Sequence, residues 1–385
     1  MASDLSAAPS ATRDRLLGKL QRALAASPRP FTIDLPSGER VAIGTGPPCF
    51  NVGVRDRKTL ARLATLDEGT IAEAYLAGDI EIEGDLLAVM PLRDALSDRH
   101  YLTTIWRFLQ PIVFGQVGTN ARAIRAHYDV DADFFLSFLG ETRCYTHGIF
   151  ESDDESLSVA IHRKFDIAIE ACELGPGSRI LEVGPGWGAF TEYAARRGIH
   201  VTGVTNSLKS QEFLRDLGER RNLDWDIAFS DILDYRSDER YDAIVVMGIM
   251  EHLPDYPRVL AKFQELLKPG GHLYLDASAA RKKYDASYFL TRHIYAGNHT
   301  FLDLADFLAA LAKTPLQLRS VHDDRHSFFL TFKRWAENWE ASRKRIVEKF
   351  SDAEFRRFQL YLWAATHCFK TDALQCYRVV IDNPA

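Results

Sequence analysis

Two stretches of this sequence carry residues typed and spaced for chemistry. In the first, the β-prone run Arg179–Val183 leads straight into Gly184, Gly186 and Gly188, and a helical stretch, Ala189 to Arg197, follows at once. A strand that ends in a glycine loop and opens a helix gathers backbone N–H groups and the helix's positive end at one point. An anionic or polar ligand can then reach the main chain without side-chain obstruction. Taken alone, such glycines would equally serve a structural turn. The second stretch is Glu251-His252, an acid and an imidazole just past the apolar run Tyr241–Met247. A carboxylate there can stabilise a cation, orient an amine or accept a proton.

These groups need a frame, and the pattern from Ser158 onward supplies one. Helix Val159–Cys172 precedes strand Arg179–Val183, and strand His200–Val204 follows the first helix. Leu223–Phe229 and Tyr241–Met247 read as the third and fourth strands. Val259–Leu267 reads as a helix that stops at Lys268-Pro-Gly-Gly271, before a fifth strand at His272–Asp276. Phe301–Leu311, Leu316–Val321 and Leu374–Ile381 supply a helix and the last strands. The alternation predicts an α/β fold with a doubly wound, mostly parallel seven-stranded sheet and ligand sites at the strands' C-terminal ends. Residues 280–300 interrupt it as an inserted lid would. The long amphipathic segments Phe332–Phe350 and Ala353–Cys368 read as a helical insertion near 332–368.

Ahead of this α/β domain, placed at 124–385, the chain divides further. Residues 1–25 read as a flexible lead-in with an amphipathic helix from Arg13. Phe31–Leu35, the turn Pro36-Ser-Gly38 and Arg40–Ile43 outline a hairpin, and further alternating and helical stretches complete a small α+β domain over 26–100. Residues 101–123 read as an aromatic connecting helix and linker. Exposed, that aromatic stretch would make a peripheral membrane contact.

Composition narrows the function classes. The length of 385 residues suggests two domains, and 46% hydrophobic with 26% charged residues is the balance of a globular protein. A net charge of −6 makes no electrostatic case for nucleic acid. No apolar run is long enough to span a bilayer, and residues 1–12 lack the apolar core of a secretion signal, so the expected location is cytoplasmic. The five cysteines are odd in number with no CxxC pair, which fits reduced thiols, and no metal-ligand spacing is present.

The glycine loop could hold a dinucleotide or S-adenosylmethionine (SAM), and three details favour SAM. The motif is Glu182-x-Gly-x-Gly-x-Gly188, not GxGxxG. The second strand ends at Thr205-Asn206, with no acid for the ribose of NAD. The third ends at Ser230-Asp231, where a carboxylate can accept from an adenine amino group, and a Lys-Pro-Gly-Gly turn before a strand is common in SAM-dependent methyltransferases.

The sequence resembles the family of cyclopropane-fatty-acyl-phospholipid synthases and mycolic acid cyclopropane synthases from about Phe31 to the C-terminus. The markers are His127-Tyr-Asp129, Tyr145-Thr146, Gly184-Pro-Gly-Trp-Gly188, Val201-Thr-Gly-Val-Thr205, Glu251-His252, Leu267-Lys-Pro-Gly-Gly271 and Trp335. The resemblance implies a class I SAM-dependent methyltransferase fold. Tyr128, Tyr145 and Thr146 would close over the methionine end of SAM, Thr205 and Asn206 would lie by the ribose, Asp231 by the adenine, and Met247 by the cofactor. It implies a lipid-like or small-molecule acceptor and a homodimer.

The resemblance breaks at the acceptor side. Cyclopropane synthases of this family hold a bicarbonate ion as base, and the positions of four of its ligands are here His147, Asp276, Ser278 and Phe328, none of which matches. An anion at Asp276 would repel bicarbonate. Either His147 and Asp276 form a base carried by the protein, since a carboxylate fixes the tautomer of a neighbouring imidazole and raises its basicity, or the product differs. His293, His299 and His326 are further candidates in or near the lid. The leading expectation is C-methylation or cyclopropanation of an alkene or lipid chain without bicarbonate, with Glu251, His252, His147 and Asp276 as catalytic candidates and Phe328, Ser278 and His293 lining the acceptor pocket. The alternatives are methylation of a small natural-product scaffold on carbon or nitrogen, and a non-catalytic SAM- or lipid-binding module.

Overall fold

A computed structural model of the chain describes residues 10–25, 29–97, 131–281, 287–295 and 300–385. The expectations for 101–123 and for Tyr128 and His299 fall outside these residues, as do parts of the lid. The chain forms two compact units. The first comprises Met1–Tyr101, Ser287–Phe289 and Arg345–His367, and the second the remainder.

The first unit holds a four-stranded sheet of order β2-β1-β3-β4: β1 (Phe31–Asp34), β2 (Arg40–Ile43), β3 (Phe50–Val54) and β4 (Ile80–Gly84). Alternation sends Phe31, Ile33, Phe50, Val52 and Val54 into one core, and the rings of Phe31 and Phe50 stack at 4.8 Å. Helix α1 (Ser10–Leu24) adds Leu17, Leu20 and Leu24 to that core. The late segment Arg345–His367 belongs here too. Arg356 reaches Glu81 (2.5 Å) and the Ile80 carbonyl (3.3 Å), and the Tyr75 hydroxyl donates to Gln359. Sequence periodicity had attached this stretch to the α/β domain as part of one insertion. Its partners lie more than 270 residues earlier, beyond the reach of any local pattern.

The second unit is an α/β sheet of order β10-β11-β9-β8-β5-β6-β7. Its strands are β5 (Arg179–Val183), β6 (His200–Thr205), β7 (Asp226–Phe229), β8 (Tyr241–Met247), β9 (Leu267–Ala279), β10 (Gln317–Asp323) and β11 (Gln375–Asp382). The five from β9 to β7 run parallel; β11 is antiparallel to β9, and β10 to β11. Nearly continuous burial of β5 and β8 follows from helices covering both faces of a parallel sheet. The Lys268-Pro-Gly-Gly271 stretch, expected as a turn, is the irregular start of β9, where Gly270 takes φ +76° and the register with β8 shifts.

Candidate functional site

The glycine loop leaves β5 and opens the helix Ala189–Ala195, with Gly184, Gly186 and Gly188 at φ +70°, +53° and +73°. All three occupy the left-handed region that favours glycine. Their surroundings differ. A Cβ at Gly184 would sit 2.4 Å from Ile249, and one at Gly188 2.6 Å from Leu214, so the protein's own packing excludes a side chain at both. A Cβ at Gly186 would meet nothing within 4 Å. Gly186 faces open space because it borders a cleft.

That cleft is lined by Gly184, Gly186, Trp187, Thr205, Asn206, Asp231, Ile249, His252 and Leu253, among others. It lies at the C-terminal ends of β5, β6 and β7, as the sequence pattern required. Burial pushes the Asp231 carboxyl up, against the Leu233 N–H that donates to it at 2.9 Å. Burial also pulls the His252 imidazole down to about 4, which keeps it neutral. A nucleoside with an amino-acid tail fits this lining: bare backbone at Gly186, a carboxylate at Asp231, and apolar walls from Ile249 and Leu253.

Tyr145 and Thr146 lie on an irregular strap, residues 143–150, between the helices Ala132–Leu139 and Leu157–Ala171. Arg143, at φ +59°, fastens one end by donating to the Trp187 carbonyl (3.1 Å) and pairing with Glu192. The Tyr145 ring packs among Phe135, Phe138 and Trp335, with centroids 5.3–5.8 Å away. The far end is held by Thr331 and Ser327 of the helix Arg325–Ala341, whose hydroxyls accept from Gly148 N and Phe150 N.

Glu251 sits in a short 3-10 turn, Met250–His252, just beyond β8. Its Oε1 accepts from both the N–H and the hydroxyl of Ser278, each at 2.7 Å. Its Oε2 is buried and has no hydrogen-bond partner among the described residues. Burial raises the carboxyl to about 7, against the Ser278 hydrogen bonds. Residues 300–302 are stitched to the same place: Thr300 N donates to the Glu251 carbonyl (2.8 Å) and Leu302 N to that of Ser278 (2.9 Å). His293 lies in a π-helical turn, Leu290–Ile294.

His147 and Asp276 do not meet as expected. His147 is fully buried, with Nε2 3.2 Å from Asp324 and Nδ1 3.5 Å from the Cys376 sulfur, and its ring lies against Phe328 at 5.2 Å. Asp324 also pairs with Arg378 at 2.9 Å. Burial alone would raise the Asp324 carboxyl, but His147 and Arg378 hold it well below its ordinary value. Asp276 instead takes the ammonium of Lys164 (3.2 Å) and the hydroxyl of Thr146 (2.8 Å), all three buried. His326 is at the surface, paired with Asp153. Met247 ends β8 opposite Asp276.

Sequence reasoning missed Lys164, Asp324, Cys376 and Arg378. Lys164 had a readable signal. It lies on the same helical stripe as Ile161, Phe165 and Ala168, and a charge on a buried stripe calls for a counter-charge. Register gathers the others: Asp276 and Ser278 on β9 face Arg378 and Cys376 on β11, on one side of the sheet.

Residues 116–379 match the profile of the mycolic acid cyclopropane synthetase family. The chain belongs to that family. Among relatives of this family member, a sphingolipid C9-methyltransferase of Candida albicans is 23% identical over 81% of this chain and 65% of its own length. The chain thus spans just under two thirds of that relative. A probable fatty acid methyltransferase of Pseudomonas putida is 25% identical, with 96% of both chains covered. Two crystal structures share the fold. A mycolic acid cyclopropane synthase complexed with SAH and CTAB superposes with a TM-score of 0.63 at 22% identity, covering 68% of this chain and 98% of that one. Coclaurine N-methyltransferase, bound to N-methylheliamine and SAH, gives 0.67 at 18% identity, covering 81% and 98%. The sheet is that of the class I SAM-dependent methyltransferases, and S-adenosylmethionine is the cofactor its family uses.

Proposed function

We propose that this protein is a SAM-dependent methyltransferase that adds a one-carbon unit to a carbon–carbon double bond in a lipid acyl chain, with Glu251 as the base. The reading rests on one observation above the others: a buried carboxylate oxygen, Glu251 Oε2, that no group among the described residues uses. Gly184, Gly186, Thr205, Asn206 and Asp231 would hold SAM, which supplies an electrophilic methyl group. The acceptor's π electrons form the new carbon–carbon bond, leaving a carbocation. An ionised Glu251 stabilises that cation and removes a proton from it, and the C–H electron pair closes a cyclopropane or forms a new double bond. Ser278 fixes Oε1 with two hydrogen bonds, so that Oε2 is the oxygen left to act.

His147 is less suited to the task, because both ring nitrogens are engaged and the ring is sealed behind Phe328. It serves to anchor the strap. A bicarbonate ion has no evident place either: His147 and Phe328 pack on each other, and Asp276 presents an anion. The names of the relatives favour a lipid acceptor, sphingolipid or fatty acyl. No helix among the described residues is long and apolar enough to cross a membrane.

The test is incubation of the purified protein with methyl-labelled SAM and vesicles of monounsaturated phospholipid in carbonate-free buffer, followed by mass spectrometry of the acyl chains. The expected result is a gain of one CH2 on the unsaturated chain, unchanged on adding bicarbonate. Label on an amine or a small scaffold instead, or dependence on bicarbonate, overturns the reading.

A further inference from the structure

The Lys164–Asp276 ion pair is expensive. Both groups are fully buried, and two charges taken out of water at this depth usually gain less from each other than an apolar pair of similar volume would. Stability alone does not account for it. Its third member is instructive: the Asp276 oxygen not turned to Lys164 accepts from the hydroxyl of Thr146, at the middle of the strap.

Asp276 also acts through its backbone. Its carbonyl accepts from Gly248 N at 3.0 Å. Gly248 takes the left-handed φ of +67° that favours glycine, and it lies beside the strap: a Cβ on it would be in ordinary contact, 3.5 Å, with Thr146 Cβ. The next residue, Ile249, lines the cleft and packs over Gly184, and Glu251 follows two residues later. One aspartate thus ties together the strap, the turn after β8 and, through Ile249, the glycine loop. Arg143 makes the second tie, to Trp187 in the same cleft.

We propose that Lys164 and Asp276 form a positioning pair: the ammonium fixes the orientation of the Asp276 carboxylate, which sets Thr146 and the strap against the cofactor cleft. An aspartate without its lysine would be free to turn or to take up a proton, and a neutral hydrogen-bonding residue would hold Thr146 less firmly. Neither residue is among those that line the cleft, so both act through Thr146 and Gly248. This inference rests on the cleft being the SAM site.

The experiment measures SAH binding by calorimetry and the melting temperature on the full chain, for wild type, Thr146→Val, Lys164→Met and the double variant Lys164→Met with Asp276→Leu. Thr146→Val removes only the hydroxyl link; it should melt close to wild type and bind SAH about tenfold more weakly, the worth of one buried hydrogen bond. It should raise KM for SAM with little change in kcat. Lys164→Met should lower both melting temperature and affinity. The double variant should recover the melting temperature but not the affinity. Wild-type SAH affinity in Thr146→Val, or recovery of both properties in the double variant, overturns the proposal. Should the double variant fail to fold, Thr146→Val decides alone. Failure of the wild-type protein to bind SAH would instead overturn the assignment of the cleft.

Discussion

Replacing Glu251 with glutamine separates two consequences of one buried carboxyl. In the folded protein burial raises that carboxyl from the ordinary 4.5 to about 7. The folded chain therefore keeps its proton over a range of pH in which the unfolded chain has lost it. The resulting stability is fully present below pH 4.5 and disappears as pH rises through about 7. The gap corresponds to roughly 3 kcal/mol. Glutamine does not titrate, and its oxygen can accept the same two hydrogen bonds from Ser278. At pH 5 the variant and the wild type should melt within a degree or two of each other. At pH 8.5 the variant should be the more stable by up to about 3 kcal/mol, or roughly 6–10 °C in Tm for a domain of this size. Burial also raises Glu182 to about 7, but that group is common to both proteins and cancels in the difference. Turnover should move the other way, falling about 10²–10⁴-fold for loss of a general base. In the wild type kcat should rise with pH through about 7, as the carboxyl ionises. Parallel stability profiles for the two proteins would refute the buried, proton-holding carboxyl; wild-type turnover by Glu251→Gln would refute its role as base.

Three further outcomes test the rest of the site. Gly186→Val should fold but bind SAH at least tenfold more weakly, since its side chain enters open cleft; Gly184→Val should lose about 1–3 kcal/mol by overpacking against Ile249, read as a fall in the denaturant midpoint. His147→Ala should lower the melting temperature by removing a buried partner of Asp324 while retaining far more turnover than Glu251→Gln, because Arg378 still holds the aspartate; loss of turnover as deep as that of Glu251→Gln would make the imidazole the base. Arg143→Met should cut SAH affinity several-fold with little loss of stability, by releasing the strap from the Trp187 carbonyl; unchanged affinity in calorimetry would show that this tie does not matter.

What could be read from the sequence is what local pattern controls. The strand–glycine–helix unit and the run Tyr241–Met247 follow from hydrophobic period and glycine placement, and each stands where the pattern put it, with a cleft at the strands' C-terminal edge. Glu251 was legible because its position just past a strand is a local property. Asp276 was legible as an anomaly, an acid ending an apolar strand, but its partner was not, since charge pairing in a core is set by tertiary contact. The nearest expectation joined it to His147. The structure gives Asp276 to Lys164 and His147 to Asp324.

That exchange of partners bears on mechanism. A His147–Asp276 pair would have put an oriented imidazole at the acceptor and made Glu251 its auxiliary. With two separate pairings, Asp276 balanced by Lys164 and Asp324 by Arg378, each fixed anion beneath the site has its own cation. Glu251 has no counter-charge among the described residues; the buried Glu182 on β5 has none either, but it accepts from the Thr191 hydroxyl. In so dry a setting an unbalanced carboxylate is the strongest attractor for a developing carbocation, and one that holds a proton near neutrality can release it to solvent between turnovers. On the proposed reading, the paired charges keep the frame electrically quiet, and ionisation of Glu251 is the event an acceptor would feel.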